Sequence, residues 1–341
     1  MSLKALNGSM ENNNLLETAI DAVRKACRVT RKVQEGLAQI RQFQKDDKSP
    51  VTVADFASQA VVCHVLQESL GSFNLVGEET SQALRQDDQE RLCLSVVEAV
   101  KTVWPEATRE HVLNAIDLGD HAATAPTYWT LDPVDGTKGF LRGEQYAISL
   151  ALIEKGRVVL GVLGCPNLSA DLSRPFFDPD LEGRIFYAVS GEGTHSVSAV
   201  QKDDNAVRLS PPVPGEHIRV CESVEPTHSK HDDTAKIVEI LGGAGKPVRL
   251  DSQCKYAVVA RGQADAYLRL PTRKGYVEKI WDHAAGMLIA QEAGIVVTDI
   301  HGQTLDFSIG VGLDNNQGIV CAHPKFHNRI IEAIRKLSIG V

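Results

Sequence analysis

The sequence predicts an α+β protein of two domains, in which helices cover β-sheets. Three observations lead to this prediction. Early in the chain, apolar residues recur at three- and four-residue steps, the spacing of one helical face. The last third alternates short β-type runs with helical segments, which is typical of helices layered on a sheet. Between them, residues 210–215 contain three prolines and a glycine, which suit a linker better than a helix or strand.

The N-terminal domain is assigned to residues 14–212, after a polar, asparagine-rich segment, residues 1–13, that we expect to form a loose tail. A long amphipathic helix follows the tail, and a second helix is predicted for residues 53–70. The remaining predicted elements of this domain are a strand at 74–77, helices at 88–104 and 109–117, a hairpin within 145–165, and short strands between 184 and 200.

The C-terminal domain is assigned to residues 213–341, where strands and helices are predicted to alternate. Strands are predicted at 217–221, 247–250, 264–268, 294–298 and 318–321. Helices are predicted at 232–241, 253–261, 284–293 and 324–337.

The composition excludes several classes of partner. The chain has 341 residues and a net charge of −8, which argues against a nucleic-acid polymer or an anionic membrane as the partner. We find neither a signal peptide nor an apolar run long enough for a membrane span. The seven cysteines are scattered and include no C-x-x-C pair, so we expect reduced, mostly packed thiols. We therefore expect a monomeric protein of the cytoplasm.

The stretch from Tyr128 to Thr137 carries the strongest chemical signal. Residues 128–131 are aromatic, β-branched and apolar, which predicts a buried strand that ends at Asp132, since Pro133 follows. Asp135 adds a second carboxylate close by. Two neighbouring carboxylates repel unless a cation lies between them, and such oxygen ligands suit Mg²⁺. The alternative is a polar surface turn, because the same residue types close many loops.

Three further carboxylates lie near the ends of predicted elements. Asp55 could be the acidic partner of Thr52 in a capping box, Glu78 could be solvated, and Asp282 could cap a helix. The helix after Asp282 is apolar nearly all round, however, which predicts a buried helix with an acidic end pointing inward. A buried carboxylate needs a partner.

Three motifs then resemble a known family. Val76-Gly-Glu-Glu79, Leu131-Asp-Pro-Val-Asp-Gly-Thr137 and Ile280-Trp-Asp-His-Ala-Ala-Gly286 resemble, in order and spacing, the signature of the Mg²⁺-dependent, lithium-sensitive phosphatases that include inositol monophosphatase and fructose-1,6-bisphosphatase. The resemblance covers nearly the whole chain. It implies a layered αβαβα sandwich of the inositol monophosphatase type, with the active site between two domains.

Other segments are similar to one branch of that superfamily, the 3′(2′),5′-bisphosphate nucleotidases. These segments are residues 137–145, 164–167, 250–256 and 266–271. The resemblance implies hydrolysis of the 3′-phosphate of 3′-phosphoadenosine 5′-phosphate, and also of its 5′-phosphosulfate, by a metal-activated water attacking in line. It further implies a role in sulfur assimilation and salt tolerance. Alternatives are a phosphatase of inositol phosphates and a non-catalytic sensor of nucleotide or metal.

The resemblance also implies a role for individual residues. The metal positions, for two or three Mg²⁺ ions, are Glu78, Asp132, the carbonyl of Val134, Asp135 and Asp282. The pair that orients and deprotonates the attacking water is Asp55 and Thr137. The substrate positions are Gly136, Thr137, His228, Ser252, Lys255, Arg269 and Asp282. Inhibition by Li⁺, and by Na⁺ or Ca²⁺, is expected by the same resemblance.

Overall fold

The structure is a computed structural model that describes residues 3–40, 49–202, 205–224, 231–243, 247–273 and 275–340. The helices in these ranges are α1 (Leu3–Ile40), α2 (Ser49–Leu70), α3 (Glu90–Val100), α4 (Arg109–Asp117), α5 (Thr137–Arg142), α6 (His231–Ile240), α7 (Cys254–Ala260), α8 (Ala284–Glu292) and α9 (Pro324–Lys336). The strands are β1 (Leu75–Gly77), β2 (Thr127–Asp135), β3 (Ala147–Glu154), β4 (Arg157–Cys165), β5 (Arg184–Val189), β6 (Gly193–Ser198), β7 (Val207–Arg208), β8 (Val220–Glu222), β9 (Val248–Arg249), β10 (Ala266–Arg269), β11 (Val296–Thr298) and β12 (Ile319–Ala322).

The first sheet holds β1 to β7 in chain order. β1 pairs in parallel with β2, and each later neighbour pairs in antiparallel fashion. β3 is buried along its length up to Glu154 because both faces of the sheet are covered. α1 packs against β3 and β4 from one side, whereas α8 packs against the same strands from the other.

The second sheet has the order β11-β12-β10-β8-β9 and mixes parallel with antiparallel pairs. α7 and α8 lie between the two sheets, since both contact strands of the second sheet while α8 also contacts the first. α6 and α9 cover the outer face, where Ile237, Phe326 and Ile330 share one apolar cluster with β10 and β12. The layers are therefore αβαβα, and the predicted architecture is confirmed.

Some predicted bounds differ from those observed. α1 begins at Leu3 rather than after residue 13: the segment contains no proline to break the helix, although Gly8 and the asparagines are weak helix formers. α2 begins at Ser49, since Pro50 is acceptable in the first turn of a helix. The predicted linker, residues 210–215, contains neither helix nor strand. The domain boundary placed there remains a prediction.

Two further predictions concern the chain as a whole: that it has no membrane span, and that its cysteines are reduced, mostly packed thiols. Among the helices of the described ranges, none combines the length and the apolar character that crossing a membrane requires. All seven cysteines are free and buried. Burial raises the pKa of several of their thiols, with that of Cys27 at about 12. The oligomeric state and the compartment stay predictions.

Candidate active site

A cleft opens where the end of β2 meets the start of α7 and the turn that precedes α8. Its volume is about 430 Å³. Its walls are formed by Glu78, Asp132, Val134, Asp135, Gly136, Thr137, Lys138, Ser223, Asp251, Ser252, Gln253, Lys255, Tyr267, Arg269, Tyr276, Lys279, Trp281 and Asp282. The cleft thus contains every predicted site residue except Asp55, which lies behind it, and His228, which lies outside the described residues.

Carboxylates form one wall of the cleft. Asp132 and Asp135 lie at the end of β2, and Asp282 lies in a short 3-10 turn, Ile280–Asp282, before α8. One oxygen of each lies within 4.8 Å of an oxygen of the other two. Glu78 follows β1, which runs parallel to β2, so its carboxylate reaches the same edge of the sheet. The four acidic residues predicted as metal ligands are therefore brought together.

A bulge in β2 turns both of its aspartates toward the cleft. Residues three apart in a regular strand point to opposite faces. Here the pairing of β2 with β3 shifts register between Asp132 and Asp135, so the strand does not end at Asp132 as predicted. Within the bulge, the Val134 N–H donates to Oδ1 of Asp132 at 3.1 Å. The Ser58 hydroxyl of α2 donates to the Pro133 carbonyl at 2.8 Å, which ties the bulge to the helical layer.

The carboxylates of this wall repel one another. Burial, and then the charges of Glu78 and Asp135, raise the pKa of Asp132 well above its usual range. Desolvation in the cleft and the charge of Asp282 raise the pKa of Glu78 to about 7 and that of Asp135 to about 6. Lys255 partly offsets the rise at Asp135. The wall is therefore short of positive charge.

The donor set of this wall fits a hard metal ion. Of the lysines and arginines that the structure describes, none forms an ion pair with Asp132 or Asp135, and Arg269 approaches Asp282 only to 3.9 Å. Within the described residues, the cleft is lined by no cysteine or histidine, the ligands that softer metals prefer. Oxygen ligands of this kind suit Mg²⁺ or Ca²⁺.

Asp55 lies inside α2, behind the acidic wall. It is the seventh residue of the helix, past the first turn, so the capping-box alternative does not apply. Burial, followed by the charges of Glu79 and Glu78, raises the pKa of Asp55 well above its usual range. Thr137 opens α5 and faces the cleft. A buried carboxyl group with a raised pKa, next to a wall of carboxylates that suits a metal ion, can accept a proton.

The turn between β2 and α5 packs directly on the start of α7. Gly136 has φ 87 and Ser252 has φ 70, so both lie in the left-handed region that favours glycine. A Cβ at Gly136 would lie 2.8 Å from Cβ of Ser252. The glycine is therefore required for the turn and for its close approach to α7.

We expect Gly136→Ala to destabilise the protein by about 1–3 kcal/mol and to lower activity, because the new methyl group strains the turn and displaces Ser252. Gly143→Ala is the matched control. Gly143 also has a positive φ, 77, but a Cβ there would meet nothing within 4 Å. Urea unfolding and turnover of both variants isolate the contact with Ser252, and equal losses in the two would contradict its importance.

Two cations line a second part of the cleft, the cationic wall: Arg269, which is half-buried, and Lys255, which is buried. Lys255 lies at the start of α7 and is 4% exposed. Its Nζ donates to the carbonyls of Leu250 at 3.3 Å and Ser252 at 2.7 Å. Burial lowers the pKa of Lys255, and the charge of Asp135 opposes that change. An ammonium group has three N–H donors, so one remains for the cleft.

Arg269, the second cation, ends β10. Its Nη2 and Nε lie 2.7 and 2.9 Å from the two carboxylate oxygens of Glu278. Burial alone would lower the pKa of Arg269, but the charge of Glu278 raises it well above its usual range. Asp282 also lies nearby, and it is not the N-cap of α8, because His283 occupies that position. No local sequence pattern marks Glu278 as a site residue.

Gln253 is a second site residue that no chemical pattern in the sequence marks, although it lies within the family-like segment 250–256. Its backbone N–H donates to Oδ2 of Asp135. Its side-chain amide donates to the carbonyl of Trp281 at 2.8 Å and accepts from the hydroxyl of Ser149 at 3.1 Å. Gln253 therefore couples the β2 end of the acidic wall to the turn that carries Asp282.

Known proteins share this fold. CysQ from Bacteroides thetaiotaomicron, described as a bacterial member of the inositol monophosphatase family, aligns with a TM-score of 0.59 at 22% identity and covers 91% of this chain and 97% of its own. An inositol monophosphatase from Anabaena aligns with a TM-score of 0.57 at 17% identity, over 95% and 96% of the two chains. At such identities the likeness establishes the fold alone.

Other known proteins are more similar to this chain in sequence than these two structures are. A 3′(2′),5′-bisphosphate nucleotidase of Schizosaccharomyces pombe is 41% identical over 334 residues, which cover 93% of this chain and 94% of the relative. A protein of the same name from Oryza sativa is 41% identical over 345 residues, covering 94% and 93%. The model of the inositol monophosphatase family matches residues 11–338. Because this match spans almost the entire chain, the protein belongs to the inositol monophosphatase family.

Proposed function

We propose that the protein is a Mg²⁺-dependent phosphatase that removes the 3′-phosphate of 3′-phosphoadenosine 5′-phosphate, and also that of its 5′-phosphosulfate. One observation carries the proposal: a single cleft is lined by a group of carboxylates and by two cations, Lys255 and Arg269. The carboxylates suit metal ions that hold the scissile phosphate, and the cations suit a second anionic group on the same molecule. The names of the relatives from S. pombe and O. sativa support this substrate.

In this proposal the acidic wall holds two or three Mg²⁺ ions. Their ligands would be Glu78, Asp132, the carbonyl of Val134, Asp135 and Asp282. When bound, Mg²⁺ neutralises charge on the phosphate oxygens and lowers the pKa of water. We propose Li⁺ as an inhibitor, because an ion of similar size but single charge offsets less of the phosphate's charge.

The chain's own groups orient the water and the phosphate. Asp55 and Thr137 would hold the attacking water in line and take up its proton, a task that the raised pKa of Asp55 supports. The backbone N–H groups of Gly136 and Thr137, at the start of α5, would donate to a phosphate oxygen.

The cationic wall would hold the rest of the substrate. Lys255 and Arg269 would bind the 5′-phosphate, with Ser252 beside them. On a chain of net charge −8, a second phosphate needs such cations close at hand. His228 is proposed to contact the nucleotide as well, by its resemblance to the family position. Asp282 lies between the two walls and is proposed to contact the substrate as well as a metal ion.

We expect 3′-phosphoadenosine 5′-phosphate to be preferred over 3′-AMP by about tenfold or more in kcat/KM, because 3′-AMP lacks the group that the cationic wall would bind. Arg269→Ala should remove most of this preference and affect 3′-AMP much less. Steady-state phosphate release from both nucleotides, by wild type and variant, measures this. Equal use of the two nucleotides by the wild type would indicate a general sugar-phosphate phosphatase.

A substrate panel tests the proposed function itself. Phosphate release is measured from 3′-phosphoadenosine 5′-phosphate, its 5′-phosphosulfate, inositol 1-phosphate and inositol 1,4-bisphosphate, with Mg²⁺, with a chelator, and with Li⁺ added to Mg²⁺. Higher kcat/KM for the inositol phosphates would favour the alternative phosphatase of the same family. Binding of the nucleotide without turnover of any substrate would favour the sensor.

A further inference from the structure

A buried hydrogen-bonded network lies behind Arg269 and has no part in the roles assigned so far. Glu278 pairs with Arg269 through both of its carboxylate oxygens. Oε2 of Glu278 also lies 3.3 Å from Nε2 of His283. Nδ1 of His283 lies 2.9 Å from the hydroxyl of Tyr256. The network runs from the inner helical layer, through Tyr256 in α7, to the cationic wall of the cleft.

The members of this network have little freedom to move. Tyr256 and His283 are fully buried, and Glu278 is 7% exposed. The ring of Tyr256 packs against Gly286 of α8, where an added Cβ would lie 2.3 Å from the ring. Because both ring nitrogens of His283 have partners, the orientation of the imidazole is fixed as well. Close packing thus holds the carboxylate of Glu278 in one place.

Electrostatics favour an ionised Glu278. Burial alone would raise its pKa, but the hydrogen bond from His283 and the charge of Arg269 lower it to about 2. Glu278, Asp282 and His283 also have potential metal-ligand atoms within 4.8 Å of one another. The Arg269 guanidinium already supplies the positive charge at that group, since it lies 2.7 Å from Glu278. The geometry is therefore that of a carboxylate holding an arginine rather than a metal ion.

We infer that Glu278 is a positioning residue, which holds the Arg269 guanidinium on the cleft wall for the second phosphate of the substrate and away from Asp282. The distances support this division, because Arg269 lies 2.7 Å from Glu278 but 3.9 Å from Asp282. Without Glu278, the guanidinium would lose the pair that fixes its position on the cationic wall, and the second phosphate would lose an oriented partner. The inference rests on the proposed function, since it names the residue that sets specificity for a bisphosphate.

The test compares Glu278→Gln, Arg269→Ala and the double variant on 3′-phosphoadenosine 5′-phosphate and 3′-AMP. We expect Glu278→Gln to lower kcat/KM for the bisphosphate by about tenfold or more, mostly through KM, with a much smaller effect on 3′-AMP. The double variant should be no worse than Arg269→Ala, because residues that act through one contact are not additive. Calorimetric binding of AMP, which carries the 5′-phosphate, should weaken in parallel.

Asp265→Asn provides the matched control. Asp265 pairs with Arg219 through both oxygens, at 2.8 and 2.9 Å, and is 2% exposed, but it precedes β10 at the end away from the cleft. We expect this variant to lose stability without changing the ratio of kcat/KM for the two nucleotides. If Glu278→Gln does not fold, Glu278→Asp, which keeps the charge on a shorter side chain, makes the same comparison.

The outcomes separate the inference from the proposed function. If the wild type prefers the bisphosphate but Glu278→Gln keeps that preference, or its effect adds to that of Arg269→Ala, the inference is overturned and the function stands. Equal losses on both nucleotides would assign Glu278 a structural role only. A wild type that does not prefer the bisphosphate overturns the proposed function and the inference with it.

Discussion

Asp135→Asn is expected to lower turnover by several orders of magnitude while leaving the protein folded. The change removes one charge from a wall whose carboxylate oxygens lie within 4.8 Å of one another, so a metal ion would lose a ligand there. Loss of a catalytic metal removes several kcal/mol of transition-state stabilisation. Turnover in saturating Mg²⁺ is the measurement, and an activity above about a tenth of wild type would refute the role of Asp135.

The same variant should be at least as stable as the wild type in metal-free buffer. Burial and the charge of Asp282 raise the pKa of Asp135 from 3.8 to about 6. Ionising a group with a raised pKa costs stability, and this cost grows as the pH increases through that window. Asparagine carries no such cost. The free energy of unfolding of the variant, measured in urea, should therefore exceed that of the wild type by an amount that increases between about pH 4 and pH 6 and stays constant above pH 6. Asp21→Asn, at a half-buried carboxylate of α1 that is paired with Lys25, is the control for charge removal.

Asp55→Asn is expected to lower kcat by about two orders of magnitude or more, because the variant lacks the proposed proton acceptor behind the acidic wall. Burial and the charges of Glu79 and Glu78 disfavour the ionised form of Asp55. The variant should therefore unfold at the same temperature as the wild type or higher in metal-free buffer at neutral pH. Measuring kcat and the unfolding temperature together separates a chemical role from a packing role.

Ser58→Ala, on the same helix, gives the comparison for Asp55. The hydroxyl of Ser58 donates to the Pro133 carbonyl, and the residue is fully buried. Its loss should cost about 1 kcal/mol of stability and change kcat far less than Asp55→Asn does. A fall in kcat that is similar for the two variants would mean that α2 acts only by supporting the bulge of β2.

The elements of the last third of the chain could be predicted from sequence, because each has a local signal. The apolar helix after Asp282 is α8, and the strand before helix 324–336 is β12, within one or two residues of the predicted ends. Periodicity and flanking glycines or prolines mark such elements without reference to the rest of the chain. The predicted start of α1 was wrong. A polar, asparagine-rich segment indicates a tail only weakly, and without a proline it can still be helical.

The site could be predicted in part only. Asp132, Asp135 and Gly136 were identified from adjacent residues and from a family pattern. The bulge that turns both aspartates to one side was not, because it depends on how β2 pairs with β3. Glu278 was missed for a similar reason. Its partner Arg269 lies on another element, and a glutamate in a polar loop looks solvated until the fold brings the two together.

The acidic wall draws its carboxylates from distant parts of the chain, Asp132 and Asp135 from β2 and Asp282 from the turn before α8. Such a site exists only after the first sheet and the inner helices have docked, and contacts between distant residues form late in folding. A metal ion would therefore bind the native chain and not its unfolded state, and would stabilise it by mass action. It would act as a clamp on the finished protein rather than as a nucleus for folding, so chelation should speed unfolding more than it slows refolding.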